Sequence, residues 1–287
     1  MFTRKSSALI AQAMCVGAIA AVVATATPAT AQTNVQCSES ALSNAITTAN
    51  LSGGGTLVLA PGCTYALSVP LPDITSEIVI RARHSTLTRS STASFGILSV
   101  SPTGNLTITD ATITNGDAPD FGGGIANRGM LTVTDSAIRD NHANFSGGIG
   151  GGSGTTTLIE GTSIMRNTAN VNGGGVANDG NMIIRNSRII DNTAVSGVGG
   201  GAANDGTLRI FRTNINENNA QRAGGVANVG GGTTTITSSN VNSNTAVTAP
   251  GGVLNTSGIV TLNSSRVRDN QPTNCAGSDI PVPNCTG

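Results

Sequence analysis

The phrase Gly-Gly-(Ile/Val/Ala)-x-Asn starts at Gly123, Gly147, Gly174, Gly200, Gly224 and Gly251, at intervals of 24, 27, 26, 24 and 27 residues. Its second copy carries Gly151 where the others have Asn. A second phrase, (Ile/Val)-x-x-Asn, keeps step with it at Ile138/Asn141, Ile164/Asn167, Ile189/Asn192, Ile215/Asn218, Val241/Asn244 and Val267/Asn270. A fixed period of this length means a solenoid in which each coil buries its apolar face on its neighbours.

Each repeat holds three apolar beats, such as Ile125, Leu131/Val133 and Ile138, then Val176, Met182/Ile184 and Ile189. Leu131 and Val133 alternate with Thr132 and Thr134, the period of a strand with one buried face. No repeat has a run long enough for a helix. The expected fold is therefore all-β: a single-stranded right-handed parallel β-helix, three short strands per coil, about eight to nine coils. Gly at the corners is expected to supply positive φ and close approach, and Asn to tolerate the left-handed region. Asn141, Asn167, Asn192, Asn218, Asn244 and Asn270 are expected to form a ladder that satisfies turn backbone and fixes register. Asn127, Asn178, Asn204, Asn228 and Asn255 come earlier in each repeat and form the first column, broken at Gly151, to which that ladder is the second.

The flanks read differently. Arg4 and Lys5, the apolar stretch Ala8–Val23 and Ala29-Thr30-Ala31 have the form of a cleaved export signal over residues 1–31. No spanning segment follows it, so the product is expected to be secreted, with no integral membrane segment after cleavage. Residues 32–73 read as an N-terminal cap, with a helix over 38–50, Ala41, Leu42, Ala45 and Ile46 forming its apolar face, and a first strand at Thr56–Ala60. Residues 74–270 are the β-helix, regular from 123. Residues 271–287, with Pro272, Pro281 and Pro283, are a C-terminal cap. Cys37, Cys63, Cys275 and Cys285 remain after the signal; an even count in an exported chain implies two disulfides. Three pairings are open, and the sequence-local one, Cys37–Cys63 with Cys275–Cys285, puts one staple at each end.

Beyond Lys5 every basic side chain except histidine is arginine, set against 15 acidic residues. Such a balance excludes nucleic acid and anionic membranes as partners. Tyr65, Phe95, Phe121, Phe145 and Phe211 are the aromatics that follow the signal. That scarcity weighs against a tight sugar-binding groove.

The Gly-Gly and apolar-x-x-Asn phrases, from Gly123 to about Asn270, resemble the repeats of polymorphic outer-membrane proteins, with Ile or Val where that family usually has Phe. The resemblance implies a bacterial surface β-helix of adhesin type, here without the autotransporter barrel. The wider pectate-lyase-like β-helix superfamily implies the alternative, an extracellular polysaccharide lyase or glycoside hydrolase.

Hydrolysis on such a scaffold needs carboxylates converging from adjacent coils. Stacking the repeats brings Asp179 over Asp205, and Asp191 over Glu217. Like charges about 5 Å apart raise one pKa or attract a cation. Calcium is thus conceivable, but no further residue supports it, and no cofactor is expected. The plainer reading makes Asp179-Gly180 and Asp205-Gly206 ordinary turns, and Asp140/Arg166/Asp191 an exposed ion ladder. His142 is a candidate general base or a simple corner residue. Gly-His-Gly, Asp-Asp and Arg-x-Lys are all absent. Repeats varying by only three residues suggest an even rod without a deep cleft. The favoured expectation is a non-catalytic module facing an extracellular glycan or a surface protein.

Overall fold

The computed structural model describes residues 32–286. The proposed export signal, residues 1–31, lies outside them. The chain winds into an all-β, right-handed parallel β-helix of about nine turns, with one short helix near its N-terminus. Its strands form three sheets of 17, 7 and 6 strands, called here the wide, middle and narrow sheets.

One coil shows how the sequence makes the shape. Met130–Thr134 and Ala137–Arg139 lie in the wide sheet, His142–Phe145 in the narrow one and Ile149–Gly151 in the middle one. There are thus four strand segments in this coil, not three. The additional one carries the alanine column: Ala143, Ala169, Ala194, Ala220 and Ala246 stack in register. These methyl groups are buried inside the coil.

The aliphatic beats point to the axis and pile over one another. Ile138, Ile164, Ile189, Ile215 and Val241 are in direct register and fully buried. Ile125, Ile149, Val176, Ala202, Val226 and Val253 do the same on the middle sheet. Burial of each large side chain contributes about 1.5–3 kcal/mol, so the stack, not any single coil, holds the fold.

The corners differ from expectation in which residue turns the chain. The ladder asparagines do not take the left-handed conformation. The residue before each one does: Asp140, Arg166, Asp191, Glu217, Ser243 and Asp269 have φ of 51–59°. Likewise the Gly-Gly pairs are not at positive φ; the residue ahead of them is, as at Gly122, Ser146, Gly173, Gly199 and Ala223. An Asn with its φ in the ordinary range can aim its amide inward. In the second column each Asn amide donates to the next Asn Oδ1 at 2.9–3.0 Å, from Asn141 through Asn270. Asn274 accepts the last bond at 3.0 Å and ends the ladder.

Both ends are covered. Helix Glu39–Leu51 begins at Ser38, whose Oγ accepts from the Ala41 N–H at 3.2 Å. Its buried face is Leu42, Ala45, Ile46 and Ala49; Ala41 is only partly covered. The first strand is Gln32–Val35, ahead of the helix, and Gly54–Leu59 pairs with it. Disulfides join Cys37 to Cys63 and Cys275 to Cys285. Among the described residues no helix is long and apolar enough to cross a membrane.

Candidate functional site

The outward centre position of the middle sheet is small in every regular coil up to Ala227: Ala126, Gly150, Ala177 and Ala203 precede it. Small side chains leave a trough along this face. At its C-terminal end Ala223, Ala227 and Leu254 pack with Val198 and Val229 and close it. The remainder is a cavity of about 400 Å³ floored by Gly150, Ala177 and Ala203. The expectation of an even rod without a cleft is thus corrected. Depth here comes from missing side chains rather than from loop insertions, so even spacing hid it.

One wall carries Phe121 and Phe145, which stand in register on adjacent narrow-sheet strands. The strands' rungs are about 4.8 Å apart. A Cβ on Gly150 would strike Cδ2 of Phe121 and come within 3.0 Å of its Cε2. Gly150 therefore lets the ring lie down on the floor. The run Gly150-Gly151-Gly152 is the one break in the repeat, and all three residues line the cavity. The core repairs the missing Asn at 151 locally: Asn127 donates to the buried Thr157 Oγ1 at 3.0 Å. Beyond the break the first Asn column is continuous, Asn178 to Asn204, Asn228 and Asn255 at 2.8–3.1 Å.

The opposite side carries Asp179 and Asp205, each following a first-column Asn, one rung apart. Asp120 lines the cavity from the aromatic side, in the same strand as Phe121. None of the three makes an ion pair among the described residues. Asp179 retains exposed surface, yet the trough walls strip part of its hydration. That desolvation, and secondarily the Asp205 charge, raise its pKa above the usual carboxylate value. A raised folded pKa contributes stability that is present at low pH and lost as pH rises through it. Ionised Asp179 is therefore a cost to the fold that packing does not require.

The other candidates lie elsewhere. Asp191 and Glu217 occupy left-handed corners and do not line the trough. Asp140, in the same column, accepts from Arg166 Nε at 2.8 Å, and this bond is the main cause of its lowered pKa. His142 has both ring nitrogens engaged, Nδ1 at 2.7 Å from Asp117 Oδ1 and Nε2 at 3.1 Å from Asn170 Oδ1. That cluster is separate from the trough; the His142 bond is the largest cause lowering the Asp117 pKa, with Ser94 second. Sequence reasoning singled out Asp179 and Asp205 but missed Phe121 and Phe145. The signal for them was the glycine break at 151, noted but not connected to an aromatic neighbour.

No family model matches the chain, so its resemblance to outer-membrane repeats rests on the glycine and asparagine phrases alone. No curated protein matches it. Among solved structures it is similar to the alginate lyase from Paenibacillus sp. str. FPU-7. That match has 15% identity and a TM-score of 0.41, and covers 82% of this chain and 99% of the other.

Proposed function

We propose that the chain is an exported, non-catalytic interaction module that holds part of an extracellular glycan in the trough between Phe121/Phe145 and Asp179/Asp205. One observation carries this reading. Two of the few aromatic side chains in the molecule stand side by side over a glycine floor, facing carboxylates across a 400 Å³ cavity. The exposed Phe145 ring, backed by Phe121, offers an apolar surface against which a sugar ring packs, and carboxylates accept bonds from sugar hydroxyls. The trough runs from the rung of Phe121 to that of Asp205, three rung steps or about 14 Å, which suits a short run of sugar units rather than a single one.

Calorimetric titration with a panel of plant, fungal and bacterial hexasaccharides tests it. Phe121→Ala/Phe145→Ala is expected to weaken binding of any hexasaccharide the wild type takes by about tenfold or more. Gly150→Val is an independent variant, because its side chain needs the space of the Phe121 ring. It is expected to weaken binding comparably with both aromatics retained. Binding that survives both changes, in proteins that unfold like the wild type, would remove this reading.

The placement of Asp179 and Asp205 on adjacent rungs, with burial holding the Asp179 pKa above the usual carboxylate value, favours a second reading, glycoside hydrolysis with one carboxyl as acid and the other as base or nucleophile. Its signature is release of reducing ends that stops in Asp179→Asn and persists in Asp191→Asn/Glu217→Gln. The non-catalytic reading expects no such release from the wild type. Elimination from a polyuronate fits less well, since it needs a cation at the substrate carboxylate and no arginine lines the trough.

A further inference from the structure

We infer that the glycan taken by the trough bears protonated amines, as deacetylated hexosamine chains do, because the charged side chains lining the cavity are all carboxylates and none has an ion-pair partner among the described residues. The inference rests on the glycan reading above and narrows it to a substrate class.

Asp120, Asp179 and Asp205 are exposed and line the cavity. They make no ion pair among the described residues, although arginines elsewhere on the rod pair readily, as Arg166 with Asp140 and Arg185 with Glu160. Arg128 is close in sequence to Phe121, but its guanidinium lies 4.5 Å over that ring and it does not line the cavity. The nearby polar groups Asn172 and Ser146 are neutral. Three negative charges in one trough repel polyuronates and sulfated chains. They attract a chain with one ammonium per sugar.

A single metal ion is a poorer fit. Among the described residues no three His, Cys, Asp or Glu side chains are placed to grip one ion. Asp179 and Asp205 instead follow the trough, one per rung, at a repeat of about 4.8 Å. That spacing resembles the advance of a glycan by one sugar ring. The geometry thus offers successive amines successive carboxylates, while the phenylalanines take the apolar ring faces at the other end.

The test is calorimetric titration of the full chain at about pH 6, at low and at high salt. The probes are the glucosamine hexamer, its fully N-acetylated counterpart, and oligogalacturonate with and without calcium. The glucosamine hexamer is expected to bind about tenfold tighter than the acetylated one at low salt, within the range that two exposed ion pairs supply together. The preference should shrink at high salt. Asp179→Asn/Asp205→Asn should abolish the preference, weakening the glucosamine hexamer far more than the acetylated one, for which the amide oxygens still accept from sugar hydroxyls. Equal binding of the two hexamers would overturn this inference and leave the glycan reading intact. Oligogalacturonate binding tighter than glucosamine binding, with calcium or without, would also overturn it. Failure of every hexasaccharide, in this set and in the broader panel, would overturn both.

Discussion

Replacing Asn192 with alanine is expected to lower stability by about 4 kcal/mol, although the side chain touches neither solvent nor the trough. Its Oδ1 accepts from the backbone N–H of Asn167 at 3.0 Å and from the Asn167 amide at 3.0 Å. Its own amide donates to the Ile164 and Ile190 carbonyls and to Asn218 Oδ1, at 2.9–3.1 Å. Truncation leaves the buried Asn167 N–H without its acceptor and takes a donor from the Ile164 and Ile190 carbonyls, of which Ile190 keeps the Arg166 N–H at 3.2 Å. Each orphaned group costs about 1–3 kcal/mol, and a small void adds to that. The neighbouring Asp191→Asn change is the control. It keeps a residue suited to the left-handed corner and should shift stability by no more than about 0.5 kcal/mol. Urea unfolding followed by circular dichroism measures both. Because each coil touches only its neighbours, hydrogen exchange should show the deficit first in the coils of Ile164 and Ile189. A loss below about 1 kcal/mol for Asn192→Ala would mean that the column does not carry the corner.

How much of this was legible in the sequence follows from what a period reports. A repeat tells which residues share a column, so the stacking of Ile164, Ile189 and Ile215 and the ladder of asparagines could be read directly. It does not tell which residue at a corner bears the unusual dihedral. Gly and Asn were natural choices for positive φ, yet Asp140, Arg166 and Glu217 take it instead. The reason is division of labour within the turn. The residue that turns the chain points outward and tolerates any polar side chain, whereas the next must be Asn to bond inward. The site was half legible. Asp179 and Asp205 stood out because columns expose like charges. Phe121 and Phe145 did not, because they sit in the narrow-sheet segment, which the apolar beats do not mark. Their role depends on Gly150, a residue from the following coil. Only three-dimensional stacking connects that glycine to the ring lying over it.

Gly174→Ala, a single methyl group added to a regular coil, is expected to lower stability by about 3 kcal/mol or more. The glycine is not there for its dihedral, since its φ lies in the ordinary range. A Cβ would sit 2.5 Å from the Thr193 carbonyl oxygen and 2.6 Å from that of Gly200, both backbone atoms of the next coil. Neither can swing away as a side chain can. Thr193 donates its N–H to the Asn167 carbonyl at 2.9 Å and lies in the strand carrying the alanine column. Gly200 carries the matching turn of the next repeat, and its carbonyl accepts from the Gly175 N–H at 2.9 Å. Making room for the methyl group therefore means parting two coils along a hydrogen-bonded seam, and the same seam runs through the neighbouring repeats. Gly152→Ala provides the contrast. Its Cβ meets nothing closer than the Asn127 carbonyl oxygen at 3.7 Å. That change should be neutral or slightly stabilising, because alanine restricts the unfolded chain. Thermal unfolding of the two variants side by side separates the explanations. A large loss at 174 with none at 152 assigns the Gly-Gly phrase to close approach between coils. Equal, small losses would return it to the role of a flexible corner and undo the account of why the phrase repeats.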